Sequence, residues 1–279
     1  MTPFARMILR DYADNNVGIP YDNDGGTSNK KHLKTLINGI VNAKCFDCSD
    51  VKELSATLVK KMSVLHEING KMEFCLGPTD TSFLPSEKMW IESEISKGSW
   101  WGVMLICPDG IGTAYGLCVL KNEYCTSTII GEIYLHLNNG HPIINFPNVV
   151  EPFGNLKEVK SILYTFAGYI YPLLAIINSP SVIGRQEFPA HKGFEKSLRH
   201  SNVIPPGAHL RPWTKITLDV TPPSGEHGEH GGARLTGAKA LHYCRTHIRI
   251  KNGKLERVRG HWRGDAALGV VRSDYKVKA

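Results

Sequence analysis

Two segments near the start of the chain carry hydrophobic residues at helical spacing. In the first, KKHLKTLINGIVNAK, Thr27 or Ser28 is placed to cap a helix whose apolar positions are Leu33, Leu36, Ile37, Ile40 and Val41. The second, DVKELSATLVKKMSVLHEI, covers residues 50–68 and again has one apolar stripe, with Ser49 as its cap. The pattern predicts two helices within a helical N-terminal region, residues 1–82.

The pattern changes at about Lys88. Short runs rich in β-branched and aromatic residues follow one another, separated or ended by KGS, PDGIG and NNGHP, which is typical of an antiparallel β-meander. LKEVKSILYTFAGYIYPLLAIINSP then predicts a long helix with Pro172 inside it. Its uncharged stretch is of marginal length for a membrane span, and Gly168, Pro172 and Asn178 argue against one, so we predict a buried central helix and no membrane contact.

The last third contains short elements between proline- and glycine-rich connectors. A short helix is predicted near Lys192–Arg199, and WTKITLDV alternates as a strand does. TPPSGEHGEHGGA has the composition of a loop. We therefore predict the α+β class, with a helical region at 1–82, a core with the meander and central helix at 83–212, and a basic β-hairpin unit at 213–279.

The hairpin unit is predicted from LHYCRTHIRIKNGKLERVRGHWRGD. Asn252-Gly253 between two strand-like runs is a strong signal for a two-residue turn. That turn pairs Lys251 with Lys254, and the remaining pairs follow by counting outward: Ile250 with Leu255, Arg249 with Glu256, Ile248 with Arg257, His247 with Val258, Thr246 with Arg259, Cys244 with His261, Tyr243 with Trp262 and His242 with Arg263.

Charge is concentrated in the same part of the chain. The formal net charge is +7, but residues 181–279 hold 18 basic and 8 acidic groups, whereas the first 180 residues hold 15 and 18. Such asymmetry indicates an anionic partner for the C-terminal third. We expect nucleic acid, DNA or RNA, or an acidic protein surface, and interpret one set of residues as nucleic-acid contacts: Arg245, Arg249, Lys251, Lys254, Arg257, Arg259, Trp262 and Arg263.

Other chemistry is possible on the same strands. His242 and His261 with the neighbouring arginines suit general acid–base cleavage of a phosphodiester, so a nuclease is the alternative enzymatic reading. A zinc set that includes His247 is opposed by strand geometry, because His247 falls on the other face from His242 and Cys244. We predict no metal site and no cofactor, and motifs for phosphate-binding loops, dinucleotides, serine hydrolases and zinc proteases are missing.

The seven cysteines show no regular framework, which favours free, mostly buried thiols in a reducing compartment. Cys45 and Cys48 have redox spacing, but the surrounding sequence does not predict a thioredoxin-like strand and helix. MTPFARMILRDYADNN lacks the continuous apolar core of a signal peptide.

Three stretches resemble a family of uncharacterised proteins encoded by tailed bacteriophages and prophages: LPSEKMWIE, INSPSVIGRQEFPAHKGFEKSLR and ARLTGAKALHYCRTHIRIKNGKLERVRGHWRGDAALGVVRSDYKV. The resemblance spans roughly Phe83 to the C-terminus, and its most specific part is the ending, with HWRGD, then LG, then a tyrosine in the last strand. It implies phage origin and the host-cell cytoplasm, and it assigns no activity.

Together these features lead to three hypotheses. The first is a phage-encoded accessory protein that binds nucleic acid through the C-terminal hairpin. The second is a nuclease that uses His242 and His261. The third is a protein that binds and inhibits a host defence or transcription factor.

Overall fold

The computed structural model describes residues 1–18, 27–68, 71–76, 83–108, 110, 112–123, 126–137, 156–179, 183–218, 240–244, 247–251, 254–258 and 261–271. The helices are α1 (Pro3–Ala13), α2 (Thr27–Asn42), α3 (Lys52–Met62, after a 3₁₀ turn at Ser49–Val51), α4 (Leu156–Ile177) and α5 (Lys192–His200). The first nine strands are β1 (Lys44–Asp47), β2 (Ser63–Ile68), β3 (Lys71–Leu76), β4 (Lys88–Ser96), β5 (Ser99–Ile106), β6 (Thr113–Lys121), β7 (Thr128–His136), β8 (Gly184–Phe188) and β9 (Trp213–Thr217). The C-terminal strands are β10 (Ala240–Cys244), β11 (His247–Lys251), β12 (Lys254–Val258), β13 (His261–Arg263) and β14 (Asp265–Val271).

A seven-stranded sheet forms the centre of the molecule, in the order β7-β6-β5-β4-β1-β9-β8. Strands β4 to β7 are the predicted antiparallel meander, which is confirmed. Strand β1 lies parallel to both of its neighbours, β4 and β9. The sheet thus combines strands from all three segments predicted from the sequence. Helices and a mostly antiparallel sheet confirm the α+β class.

Helices cover both faces of this sheet. Alternate residues of β4 belong to different cores, because successive strand side chains point to opposite faces. Trp90 packs in the core that contains the buried sides of α1, α2 and α5. Met89 and Ile91 pack in the core under α3 and α4.

Helix α4 is the predicted central helix, and it continues through Pro172. Its residues from Tyr171 to Ile177 are all buried, whereas Tyr164 in its first half is exposed. A search of the described residues found no helix long and apolar enough to cross a membrane.

The sequence pattern was wrong in one N-terminal element. The second predicted helix was extended to residue 68, but α3 ends at Met62 and Ser63 begins strand β2. Strand β2 pairs antiparallel with β3 over its whole length, from Ser63 with Leu76 to Ile68 with Lys71. The hydrogen bonds to β3 stabilise residues 63–68 as a strand, and the apolar stripe of this segment alone does not predict such a partner.

Helix α1 and strands β1, β3 and β8 were not predicted. Helix α1 begins at Pro3, and its Thr2 N-cap makes no side-chain capping bond. The carboxylate of Glu92, fully buried on β4, caps the helix instead by accepting hydrogen bonds from the backbone N–H groups of Phe4 (2.8 Å) and Ala5 (2.9 Å). A capping group 88 residues away in sequence leaves no local signal.

Candidate functional site

The C-terminal strands form two small sheets, and the pairings of β11 with β12 and of β10 with β13 have the register predicted from the sequence. Strands β11 and β12 pair from His247 with Val258 to Lys251 with Lys254, on either side of the predicted turn. Strand β13 pairs antiparallel with β10, with His242 opposite Arg263 and Cys244 opposite His261. Strand β14 joins the other edge of β10 in parallel. These strands, residues 240–271, are called the terminal arm below.

Strand β13 presents three consecutive exposed side chains on the terminal arm. His261, Trp262 and Arg263 are all exposed, and the indole of Trp262 keeps 57% of its surface accessible. Because successive side chains of a strand point to opposite faces, the imidazole of His261 and the guanidinium of Arg263 share one face of β13, and the indole of Trp262 lies on the other. Strand β13 is at the edge of its sheet, so a nucleic acid that follows this edge can place phosphates at the cationic face and unstacked bases at the aromatic face.

The other predicted contacts are less uniform. Arg249 is exposed on β11, and the ladder pairs its position with that of the acidic residue Glu256. Strands β11 and β12 also contain Lys251, Lys254 and Arg257. Lys251 pairs with Lys254, and Arg257 pairs with Ile248. Arg245 and Arg259 lie outside the described residues.

The two histidines predicted for a nuclease occupy related positions. His242 and Cys244 sit two residues apart on β10, and Cys244 is paired with His261, so His242 and His261 are diagonal neighbours on the ladder. Diagonal positions lie about 7–8 Å apart, within reach of long side chains. Within the described residues, no cluster of three or more metal-binding side chains was found.

A second polar cluster, which sequence reasoning missed, lies between α2 and the sheet. The Glu132 carboxylate on β7 pairs with Nε2 of His32 and accepts a hydrogen bond from the hydroxyl of Tyr115 on β6 at 2.9 Å. Burial, and then the nearby Glu132 charge, raise the pKa of Tyr115. The carboxylate orients the imidazole, as such pairs do in many sites. These residues are remote in sequence, so no motif could have revealed them.

A cleft of about 400 Å³ lies between α3 and α4 above the ends of β4 and β5. Trp101, Phe166 and Leu173 form its apolar side. Ser55 also lines it, and the Ser55 hydroxyl is buried with no hydrogen-bond partner among the described residues. Buried hydroxyls usually have a partner, so this one stands out.

The two cysteines of the CFDC motif have buried thiols of low reactivity. Cys45 and Cys48 carry free thiols and are both buried. Burial raises the pKa of Cys45 to about 12, and it raises the pKa of Cys48 well above its ordinary value. Because the thiolate is the reactive form, these thiols fit packing and not redox exchange.

No known protein family, curated protein or solved structure matches this chain. The arrangement of helices on both faces of a mixed seven-stranded sheet places the protein in the α+β class. The resemblance to phage proteins stays a prediction.

Proposed function

We propose that the protein is a phage-encoded accessory protein that acts in the host-cell cytoplasm by binding nucleic acid through its terminal arm. The observation that supports this most directly is the exposed run His261-Trp262-Arg263 on β13. The surrounding third of the chain carries an excess of ten positive charges, 18 basic against 8 acidic groups in residues 181–279. An anionic polymer satisfies both features, since phosphates neutralise the cations and bases stack on the ring.

A mobility-shift titration against salt tests this proposal. Phosphate-dominated binding weakens steeply with salt, with the logarithm of affinity linear in the logarithm of salt concentration. The double variant Trp262→Ala/Arg263→Glu should lose on the order of 10-fold or more in affinity and show a shallower slope. Single-stranded DNA, duplex DNA and RNA probes, run in parallel, identify the preferred polymer.

The control variant is Lys97→Glu/Tyr164→Ala. Lys97 is exposed in the turn after β4, and the Tyr164 side chain on α4 keeps 55% of its surface accessible. The control therefore changes the charge equally and removes one exposed aromatic ring far from the arm in sequence. Equal affinity of the arm variant and the wild type would refute the proposal. If nuclease-treated host lysate yields an acidic protein that requires Arg263, the arm serves a protein partner instead.

Nuclease activity is the second candidate, favoured by the diagonal placement of His242 and His261 beside Arg263. One imidazole accepts the proton of the attacking hydroxyl, the other donates to the leaving oxygen, and the guanidinium stabilises the phosphorane. Purified protein should then cut RNA in the presence of EDTA, and His261→Ala should abolish cutting while binding persists. Uncut RNA with the wild-type protein would exclude this candidate.

A further inference from the structure

One side of helix α1 forms a groove with strand β9, away from the terminal arm in sequence. The groove has a volume of about 330 Å³. Its lining residues on α1 recur at positions 3, 6, 7 and 10, one face of a helix, and Trp213 of β9 closes the other side. The lining comprises Met1, Pro3, Arg6, Met7, Arg10 and Trp213.

Two arginines give this groove its charge. The guanidinium groups of Arg6 and Arg10 both lie over the ring of Phe194 on α5, with 5.3 and 5.6 Å from each guanidinium carbon to the ring centroid. Two like charges one turn apart repel each other, and the ring holds both on the same side of the helix. Such a pair is set up to receive an anion.

No acid in the described part of the chain neutralises this pair. The acid next to Arg10 in sequence, Asp11, pairs with Lys121 and accepts a hydrogen bond from the hydroxyl of Ser127. Asp14, one turn after Arg10, forms no ion pair with it among the residues that the structure describes.

The acid beside Phe194 is Glu195, which is also engaged elsewhere. Its carboxylate accepts hydrogen bonds from Arg199 Nη2 (2.5 Å) and the backbone N–H of Leu210 (3.0 Å). Arg211, two residues before Trp213, is exposed and adds a further positive charge to this part of the surface.

The side of the groove opposite the arginines is apolar and aromatic. The indole of Trp213 is half-buried and stacks on Phe188, with ring centroids 4.3 Å apart and planes 11° from parallel. The stack fixes the orientation of the indole, while Met1 and Met7 add soft, adaptable apolar surface beside it. A planar aromatic ligand can pack in such a place, whereas a simple inorganic anion would leave it unused.

We propose that the α1–β9 groove binds a nucleotide, with its phosphate between Arg6 and Arg10 and its base against Trp213 and the methionines. Proteins that bind single strands often hold each nucleotide with an arginine at the phosphate and an aromatic ring against the base. The inference goes beyond the proposed function and does not rest on it, because the groove contains no residue of the terminal arm. The nucleotide is either free or part of a single strand.

The test measures fluorescence anisotropy of a short labelled oligothymidylate with the full-length protein, with AMP and inorganic phosphate as separate competitors. The variant Arg6→Gln/Arg10→Gln should weaken oligothymidylate binding on the order of 10-fold. The matched control is Lys31→Gln/Lys34→Gln, which removes two exposed positive charges from α2 and should leave binding unchanged. Trp213→Phe retains a ring and should bind better than Trp213→Leu.

The outcomes separate the two sites. Equal loss from the groove and control variants, or no loss from either, overturns the inference. Competition by phosphate as strong as by AMP also overturns it, because the site would then hold any anion. Competition by AMP identifies free nucleotides as ligands, whereas binding of the oligomer alone identifies a strand. If only Trp262→Ala/Arg263→Glu weakens binding, the terminal arm acts without the groove.

Discussion

Glu92 offers the sharpest test of how this fold is held together. Its carboxylate is fully buried and accepts four hydrogen bonds: from Thr2 Oγ1 and Trp90 Nε1 at 2.5 Å, and from the backbone N–H groups of Phe4 and Ala5 at 2.8 and 2.9 Å. It therefore joins β4 to the start of α1. The substitution Glu92→Ala removes the acceptor and leaves four donors in the core with no partner: three N–H groups and the hydroxyl of Thr2.

The expected magnitude combines a loss and a gain. Each unsatisfied buried donor costs about 1–3 kcal/mol, so the four donors cost roughly 4–12 kcal/mol. Burial raises the pKa of Glu92 from an ordinary 4.5 to about 7, against the opposing effect of its hydrogen bonds, and this shift corresponds to about 3 kcal/mol regained when the buried charge is removed. We expect Glu92→Ala to lower the free energy of unfolding by about 5 kcal/mol at neutral pH.

Urea denaturation followed by circular dichroism measures this change, and amide hydrogen exchange locates it. Protection should fall first at the amides of Phe4 and Ala5, because their acceptor is gone. The control is Glu94→Ala, two residues along the same strand, whose carboxylate accepts a hydrogen bond from Gly98 N at 3.2 Å near the surface. A loss under about 1 kcal/mol for Glu92→Ala, or one no larger than that of the control, would refute the reasoning.

Three other predictions follow from buried positions. Burial raises the pKa of Glu92 to about 7, so the folded protein binds a proton more tightly than the unfolded chain does. The free energy of unfolding of the wild type should therefore fall as pH rises from 4.5 to 7. Urea titrations at several pH values measure this decline, and Glu92→Gln should flatten it. Gly102→Ala should cost about 1–3 kcal/mol in thermal or urea unfolding because its Cβ would overlap the ring of Trp90, whereas Gly168→Ala, with open space around it, should gain up to about 1 kcal/mol; equal effects would contradict this. Ser55→Ala should leave stability unchanged or raise it by about 1–2 kcal/mol, and a clear loss would show that the hydroxyl has a partner.

Local pattern was sufficient where the partner of a segment lies next to it in sequence. Helix α2 was predicted from its stripe, and Leu36, Ile37 and Ile40 are buried as expected. The meander and the pairings of β11 with β12 and of β10 with β13 were also predicted, because hairpin pairing depends on a turn and on a period of two. The parallel pairing of β10 with β14 was not predicted. Counting outward from Asn252-Gly253 gave the pairing of His242 with Arg263, although the chain runs through two separate ladders.

Tertiary contacts decided the rest. Residues 63–68 fit a helical stripe and a strand equally well, and pairing with β3 selected the strand. Short strand β1 owes its place to β4 and β9, which flank it in parallel from distant parts of the chain. The α+β class was therefore predictable from periodicity, whereas the order of strands in the sheet was not.

The chemistry follows the same division. The sequence by itself determined that positive charge is concentrated in the terminal arm, which also contains Tyr243 and Trp262, because residue type and spacing along one hairpin are local properties. Only the fold brought Arg6 and Arg10 beside Trp213, His32 beside Glu132, and the Glu92 carboxylate to the start of α1. In each case the partners come from separate segments, and the packing of helices on the sheet sets their distance.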